Sequence, residues 1–122
     1  MPRALEILAA PAPIPLAKGQ EIPARTFYGQ YLGLRETMRQ PGETGLRFVG
    51  PKGTVLVLVA TATLTHSTDV KATILVDDAE TLRRALTAKR YRVHDTSPLE
   101  GHRRFLAVDP SGNRVEIRQK VA

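Results

Sequence analysis

The chain has 122 residues and a mass of 13.4 kDa, room for one domain around one core. With 42% hydrophobic residues it can bury enough surface to fold without a staple, and zero Cys excludes disulfides, thiolate metal sites, iron–sulfur clusters and cysteine nucleophiles. The formal charge of +6 divides evenly, 7 basic against 4 acidic side chains in residues 1–62 and 11 against 8 in residues 63–122, so the excess is spread rather than collected in a tail, a pattern that serves solubility more than a nucleic-acid partner.

Residues 3–17 form an apolar run interrupted by prolines, which cannot donate to a sheet ladder, so an irregular edge strand is the most it can hold. The same prolines break any signal-type helix, and no apolar run approaches the roughly 18 to 20 residues of a membrane span. A soluble, uncleaved, cytoplasmic chain without a membrane partner is expected. Glu21–Leu32 follows as a helix: Pro23 suits its first turn, Ala24, Phe27, Tyr28, Tyr31 and Leu32 recur on one face, and Gly33 stops it. Strands are then predicted at Leu34–Gln40, Leu46–Val49 and Thr54–Leu64, the last with a Val55–Val59 centre buried on both faces.

The second half repeats that order. A strand at Lys71–Val76 leads to a helix at Ala79–Arg90 capped by Asp77 or Asp78, and strands follow at Tyr91–Asp95, Arg103–Val108 and Arg114–Gln119. The last two are joined by the turn Asp109-Pro110-Ser111-Gly112-Asn113. Two copies of a βαβββ unit suggest one domain over residues 1–122, made of a module at about 3–64 and a second at about 70–120. A lone unit leaves one sheet face uncovered and needs a partner.

Three stretches carry a resemblance that covers nearly the whole chain. They are Arg25-Thr26-Phe27-Tyr28-Gly29-Gln30-Tyr31-Leu32-Gly33-Leu34, Ile74-Leu75-Val76-Asp77-Asp78 before a helix, and Arg103-Arg104-Phe105 with Asp109-Pro110-Ser111-Gly112-Asn113-Arg114-Val115-Glu116-Ile117. In this order they resemble the vicinal oxygen chelate superfamily, which includes glyoxalases, bleomycin-resistance-type proteins and extradiol dioxygenases. The resemblance implies an α+β fold in which two βαβββ modules pair into a curved mixed sheet with a central cavity, and it implies a homodimer.

Enzymes of that superfamily place His or Glu metal ligands on the first and last strands of each module. By the resemblance the last of these positions maps onto Glu116, but the others fall near Lys71, near Val57 and among Pro11–Pro13. A divalent ion needs about three or four N or O ligands, so no metal site and no cofactor are expected. His66, His94 and His102 read as surface or loop residues. Glu116 reads either as a ligand-binding residue or as a charge paired with Arg114, Arg118 and Lys71. Arg103 and Arg104 are either an anion clamp or a solvated strand start. No Gly-rich phosphate loop or G-x-S-x-G setting is present.

The expected function is therefore binding of a small polar or anionic ligand in the sheet cavity, oriented by Glu116, Lys71 and Arg104 and walled by Val57. Whether a reaction is catalysed is left open. The alternatives are a metal-dependent lyase or dioxygenase of the same superfamily with Glu116 as ligand, and, less favoured, a basic nucleic-acid-associated module.

Overall fold

The computed structural model describes residues 3–64 and 67–121. Its elements in chain order are β1 (Ala4–Ala9), β2 (Ile14–Ala17), α1 (Glu21–Ala24), a π-helical segment (Arg25–Tyr31), β3 (Arg35–Thr37), β4 (Leu46–Val49), β5 (Val55–Thr61), β6 (Val70–Val76), α2 (Ala79–Ala88), β7 (Val93–His94), β8 (His102–Val108) and β9 (Arg114–Lys120). They form a mixed α+β fold of two sheets, ordered β2-β5-β4-β3 and β1-β6-β9-β8-β7.

The two βαβββ units are visible in the ladders. β2 runs parallel to β5 and β6 runs parallel to β9, so in each unit the first strand lies beside the last, and the remaining pairs are antiparallel. The proline-rich start is not one irregular strand. Its first half, β1, adds to the second unit's sheet against β6, and its second half, β2, begins the first unit. Ala10-Pro11-Ala12-Pro13 is the crossing between sheets, where two prolines with no N–H to give end one ladder before the next starts. Pro15 sits within β2, an edge strand, which is where a missing donor is tolerated.

The predicted first helix exists but widens. After Glu21–Ala24 the backbone bonds stretch to π spacing, with the Leu32 amide donating to the Phe27 carbonyl at 3.0 Å. Phe27, Tyr28 and Tyr31 are buried, and their rings meet Tyr91 and Phe48 in one aromatic cluster. Gly33 follows at φ +76, and a Cβ there would stand 3.2 Å from the Arg3 and Ala4 backbone, so glycine lets β1 pass close by. The second helix is capped by Asp78, whose side chain accepts from the Thr81 amide at 3.1 Å. Asp77 instead accepts from the Arg3 amide at 2.9 Å and so anchors the start of β1.

One apolar cluster runs through both units, from Ile7, Ile14 and Leu16 through Leu56 and Leu58 to Leu82, Leu86, Val115 and Ile117. The expectation that β5 is buried on both faces is corrected: Leu56 and Leu58 are in the core, but Val55, Val57 and Val59 are only half-buried on the other face. That face is turned away from the first helix, whose Tyr28 packs on Phe48, the partner of Leu56 in the ladder.

Candidate functional site

The joint between the units is built from the turn after β8. Asp109 Oδ1 accepts from the backbone amides of Ser111 and Asn113, at 2.9 and 2.8 Å, which folds the turn about the carboxylate. Asp109 Oδ2 accepts from the Tyr28 hydroxyl at 2.6 Å and from Asn113 Nδ2 at 3.0 Å. Asn113 Nδ2 also donates to the Pro15 carbonyl at 2.7 Å, and Ser111 Oγ accepts from the Ala17 amide at 2.9 Å. The second unit's hairpin thus holds both β2 and the first helix. Burial pushes the Tyr28 phenol well above its ordinary value of 10.0, and the charge and hydrogen bond of Asp109 push it the same way.

Beside this joint, on the face away from the helices, lies a pocket of about 540 Å³. β2 contributes Pro15, with Pro13 just before it, β5 contributes Val59 and Thr61, Thr63 and Ser67 close it from the connection into β6, and Lys71 does so from the start of β6 itself. Among the described lining residues, prolines and valine make an apolar wall, and Thr61, Thr63, Ser67 and Lys71 add three hydroxyls and one ammonium. Lys71 forms no ion pair among the described residues. Val57 sits one step further along β5, lining a smaller recess of about 130 Å³ with Val55 and the Ala10–Pro13 crossing.

Glu116 lies on the same side of the second sheet, opposite Thr73 on β6 and Leu106 on β8. It is almost fully buried, at 6% exposure, and its carboxylate is saturated. Oε1 accepts from Thr73 Oγ1 at 3.0 Å and Arg118 Nη2 at 3.2 Å, and Oε2 accepts from Arg104 Nη1 and Arg118 Nε, each at 2.9 Å. Burial alone raises its pKa, but hydrogen bonds from Arg118, Arg104 and Thr73, with the Arg118 charge, outweigh burial and hold the group below its ordinary value.

The structure therefore brings Glu116 and Arg104 together and adds Thr73, which sequence reasoning missed. Lys71 and Arg114 make no hydrogen bond or ion pair to Glu116: Lys71 faces the pocket, two residues before Thr73 on β6. Arg103 and Arg104 are not a joint clamp, because neighbours on a strand point to opposite faces. Arg103 is exposed and acts electrostatically on Asp78, whereas Arg104 lies on the face opposite the core residues Phe105 and Ala107, where it reaches Glu116. Pro15 and Thr61 were not among the sequence candidates, and Pro13 was named only as lying where a superfamily ligand position falls. The two-residue alternation that puts Thr61 and Val59 on one face with Val57 was the available signal.

The residues present do not suit a divalent ion. Every acceptor position of Glu116 is taken by a hydrogen bond, two cations stand against it, and no group of three or more His, Cys, Asp or Glu gathers among the described residues. His66 lies outside the described residues. His94 and His102 lie on β7 and β8, both without a carboxylate partner among those residues. No described helix is long and apolar enough to cross a membrane.

No family model matches the sequence, and no curated protein matches it. Solved structures do. A glyoxalase/dioxygenase from Nostoc punctiforme superposes with a TM-score of 0.65 at 21% identity, covering 89% of each chain. A member of the glyoxalase/bleomycin resistance protein/dioxygenase superfamily from Sphaerobacter thermophilus gives 0.63 at 20% identity, over 89% of this chain and 94% of that one. TnmS3, an antibiotic binding protein from Streptomyces sp. CB03234, gives 0.59 at 22% identity, over 93% and 99%.

Proposed function

We propose that this chain, which has the glyoxalase/bleomycin resistance fold of the vicinal oxygen chelate superfamily, is a small-molecule-binding protein whose ligand enters the pocket between β2, β5 and the start of β6. The observation that carries this reading is the pocket itself: about 540 Å³, walled by Pro13, Pro15 and Val59, with Lys71 as the one cation among the described residues that line it. A concave, mostly apolar site with a few polar groups converging on it is the usual architecture of ligand recognition. The ammonium of Lys71 selects a ligand with a negative or strongly polar group, and Thr61, Thr63 and Ser67 supply hydroxyls to orient it. Val57 extends the apolar wall toward the Ala10–Pro13 crossing. The fold also serves an antibiotic binding protein, TnmS3, which supports binding as a sufficient function.

The enzymatic alternative, a lyase or dioxygenase acting through a divalent ion on Glu116, would need that carboxylate freed from Arg104, Arg118 and Thr73. The reading is tested by thermal melting of the full chain against a panel of small aromatic and aliphatic carboxylates, with Val59→Trp to fill the pocket and Lys71→Ala to remove its charge. A ligand at 100 times its dissociation constant adds about 2.7 kcal/mol of stability. Shifts that vanish in Val59→Trp and weaken in Lys71→Ala are expected, and shifts that persist unchanged in both variants would place the ligand elsewhere.

A further inference from the structure

Arg104 and Arg118 are cross-strand partners, directly opposite one another on β8 and β9. Side chains in that relation have Cβ atoms about 5 Å apart, and like charges there destabilise a sheet unless something bridges them. Glu116 bridges them from one side, with a two-point fork to Arg118 and a single bond to Arg104. The Ser97 carbonyl accepts from Arg104 Nε at 2.7 Å, so both guanidinium planes are fixed. Two positive charges against one carboxylate leave one in excess. No other acid among the described residues pairs with either arginine: Glu6, opposite Leu75 on β1, pairs with Lys52 at 3.4 Å.

The unused donors are identifiable. Arg104 Nη2 and Arg118 Nη1 make no hydrogen bond among the described residues, while no buried side-chain nitrogen or oxygen lacks a partner, so these edges open to solvent. The side chains carrying them are only 19% and 28% exposed. Partly desolvated, rigidly held guanidinium edges facing the same side of a sheet match the oxygens of a carboxylate or phosphate.

We infer that the Arg104–Arg118 pair is an oxyanion receptor, taking a carboxylate or phosphate group of the ligand at the place on the sheet where the superfamily's enzymes would carry a metal ion. Glu116 is then a positioning residue that splays and locks the two guanidiniums. This deepens the binding function proposed above and rests on it only for the remainder of the ligand, whose second polar group Lys71 would take in the pocket on the same face of the sheet.

The test is NMR titration of the 15N-labelled full chain at constant ionic strength with inorganic phosphate, with benzoate, and with chloride as control. Saturable shifts centred on the Arg104, Leu106, Glu116 and Arg118 amides are expected with at least one oxyanion and not with chloride. A tighter constant for benzoate assigns a carboxylate head group, and a tighter one for phosphate assigns a phosphate ester. Arg104→Gln is expected to weaken that binding about tenfold. Arg118→Lys, which keeps the charge but loses the fork, guards against misfolding and is expected to weaken it several-fold. Absence of saturable shifts at these amides, or unchanged affinity in both variants, overturns the receptor. Shifts confined to Val59, Thr61 and Lys71 also overturn it but leave the pocket's binding role standing. Selective broadening of the Thr73 and Glu116 amides by Mn²⁺ would show a cation seated there and overturn it as well.

Discussion

Replacing Tyr28 by Phe removes one oxygen from the joint between the two units and nothing from the apolar packing. The hydroxyl is fully buried and donates to Asp109 at 2.6 Å, and a hydrogen bond to a charged acceptor contributes about 1.5–3 kcal/mol. Asn113 Nδ2 still reaches the same oxygen at 3.0 Å, so the carboxylate is not orphaned and the loss falls near the lower end, about 2 kcal/mol. At about 2.1 cal/mol/K of unfolding entropy per residue, 1 kcal/mol corresponds to roughly 4 °C for a chain of this length, so the melting temperature should drop by roughly 8 °C. The alkaline limb should change too. The phenol's folded pKa is raised, so its contribution is fully present below an unfolded value of about 10 and is lost as pH rises through the folded one. Chemical unfolding between pH 7 and 11 is the assay: wild type should lose stability above pH 10 by up to about 1.4 kcal/mol per unit from this group, and the Phe variant should lack that component. A loss under about 0.5 kcal/mol at pH 7, with an unchanged alkaline profile, would mean that the units are not held together through this bond.

Glu116→Ala leaves two partly buried guanidiniums facing each other and should cost about 2 kcal/mol, less than a fully buried pair because Arg104 and Arg118 retain some solvent; urea unfolding measures it. The same carboxylate has a lowered folded pKa, so its contribution holds above about 4.5 and is lost as pH falls through the folded value; the acid limb of Glu116→Gln should be correspondingly flatter. Gly45→Ala should be severely destabilising, by about 3 kcal/mol or more, since a Cβ there would lie 2.0 Å from the Leu58 carbonyl oxygen; loss of soluble, cooperatively melting protein is the readout. The chain is proposed to be a homodimer, and sedimentation at micromolar concentration should give twice 13.4 kDa. A clean monomer mass refutes that.

The sequence displayed the βαβββ order because each unit writes its elements in strong local signals: alternation along Arg114–Gln119, spacings of three and four along Ala24–Leu32, and the D-P-S-G-N turn. What it hid was non-local. Nothing in Ala4–Ala17 says that the first half pairs with residues 73–76 and the second half with residues 58–61, since pairing partners are chosen by tertiary packing. The π widening after Ala24 was equally silent, because its apolar spacing is compatible with an ordinary helix. Glu116 and Arg104 were recognisable as candidates, but their junction depends on β8 and β9 meeting with Arg104 opposite Arg118, a register that single strands do not announce. Lys71 was placed on the right strand and given the wrong neighbour: the nearby irregularity in the β6–β9 register separates it from Glu116, and Thr73 takes the position opposite.

β1 has a kinetic consequence. Its partner strand is synthesised some seventy residues later, Ala4 pairing with Val76, so the contact closes a long loop. The rest of the second unit can assemble without it, which leaves the outer edge of β6 as an open hydrogen-bonding template until the N-terminal strand arrives. Docking of residues 4–9 is thus set to be a late folding event, and during that interval the nascent chain carries its greatest exposure to edge-to-edge aggregation.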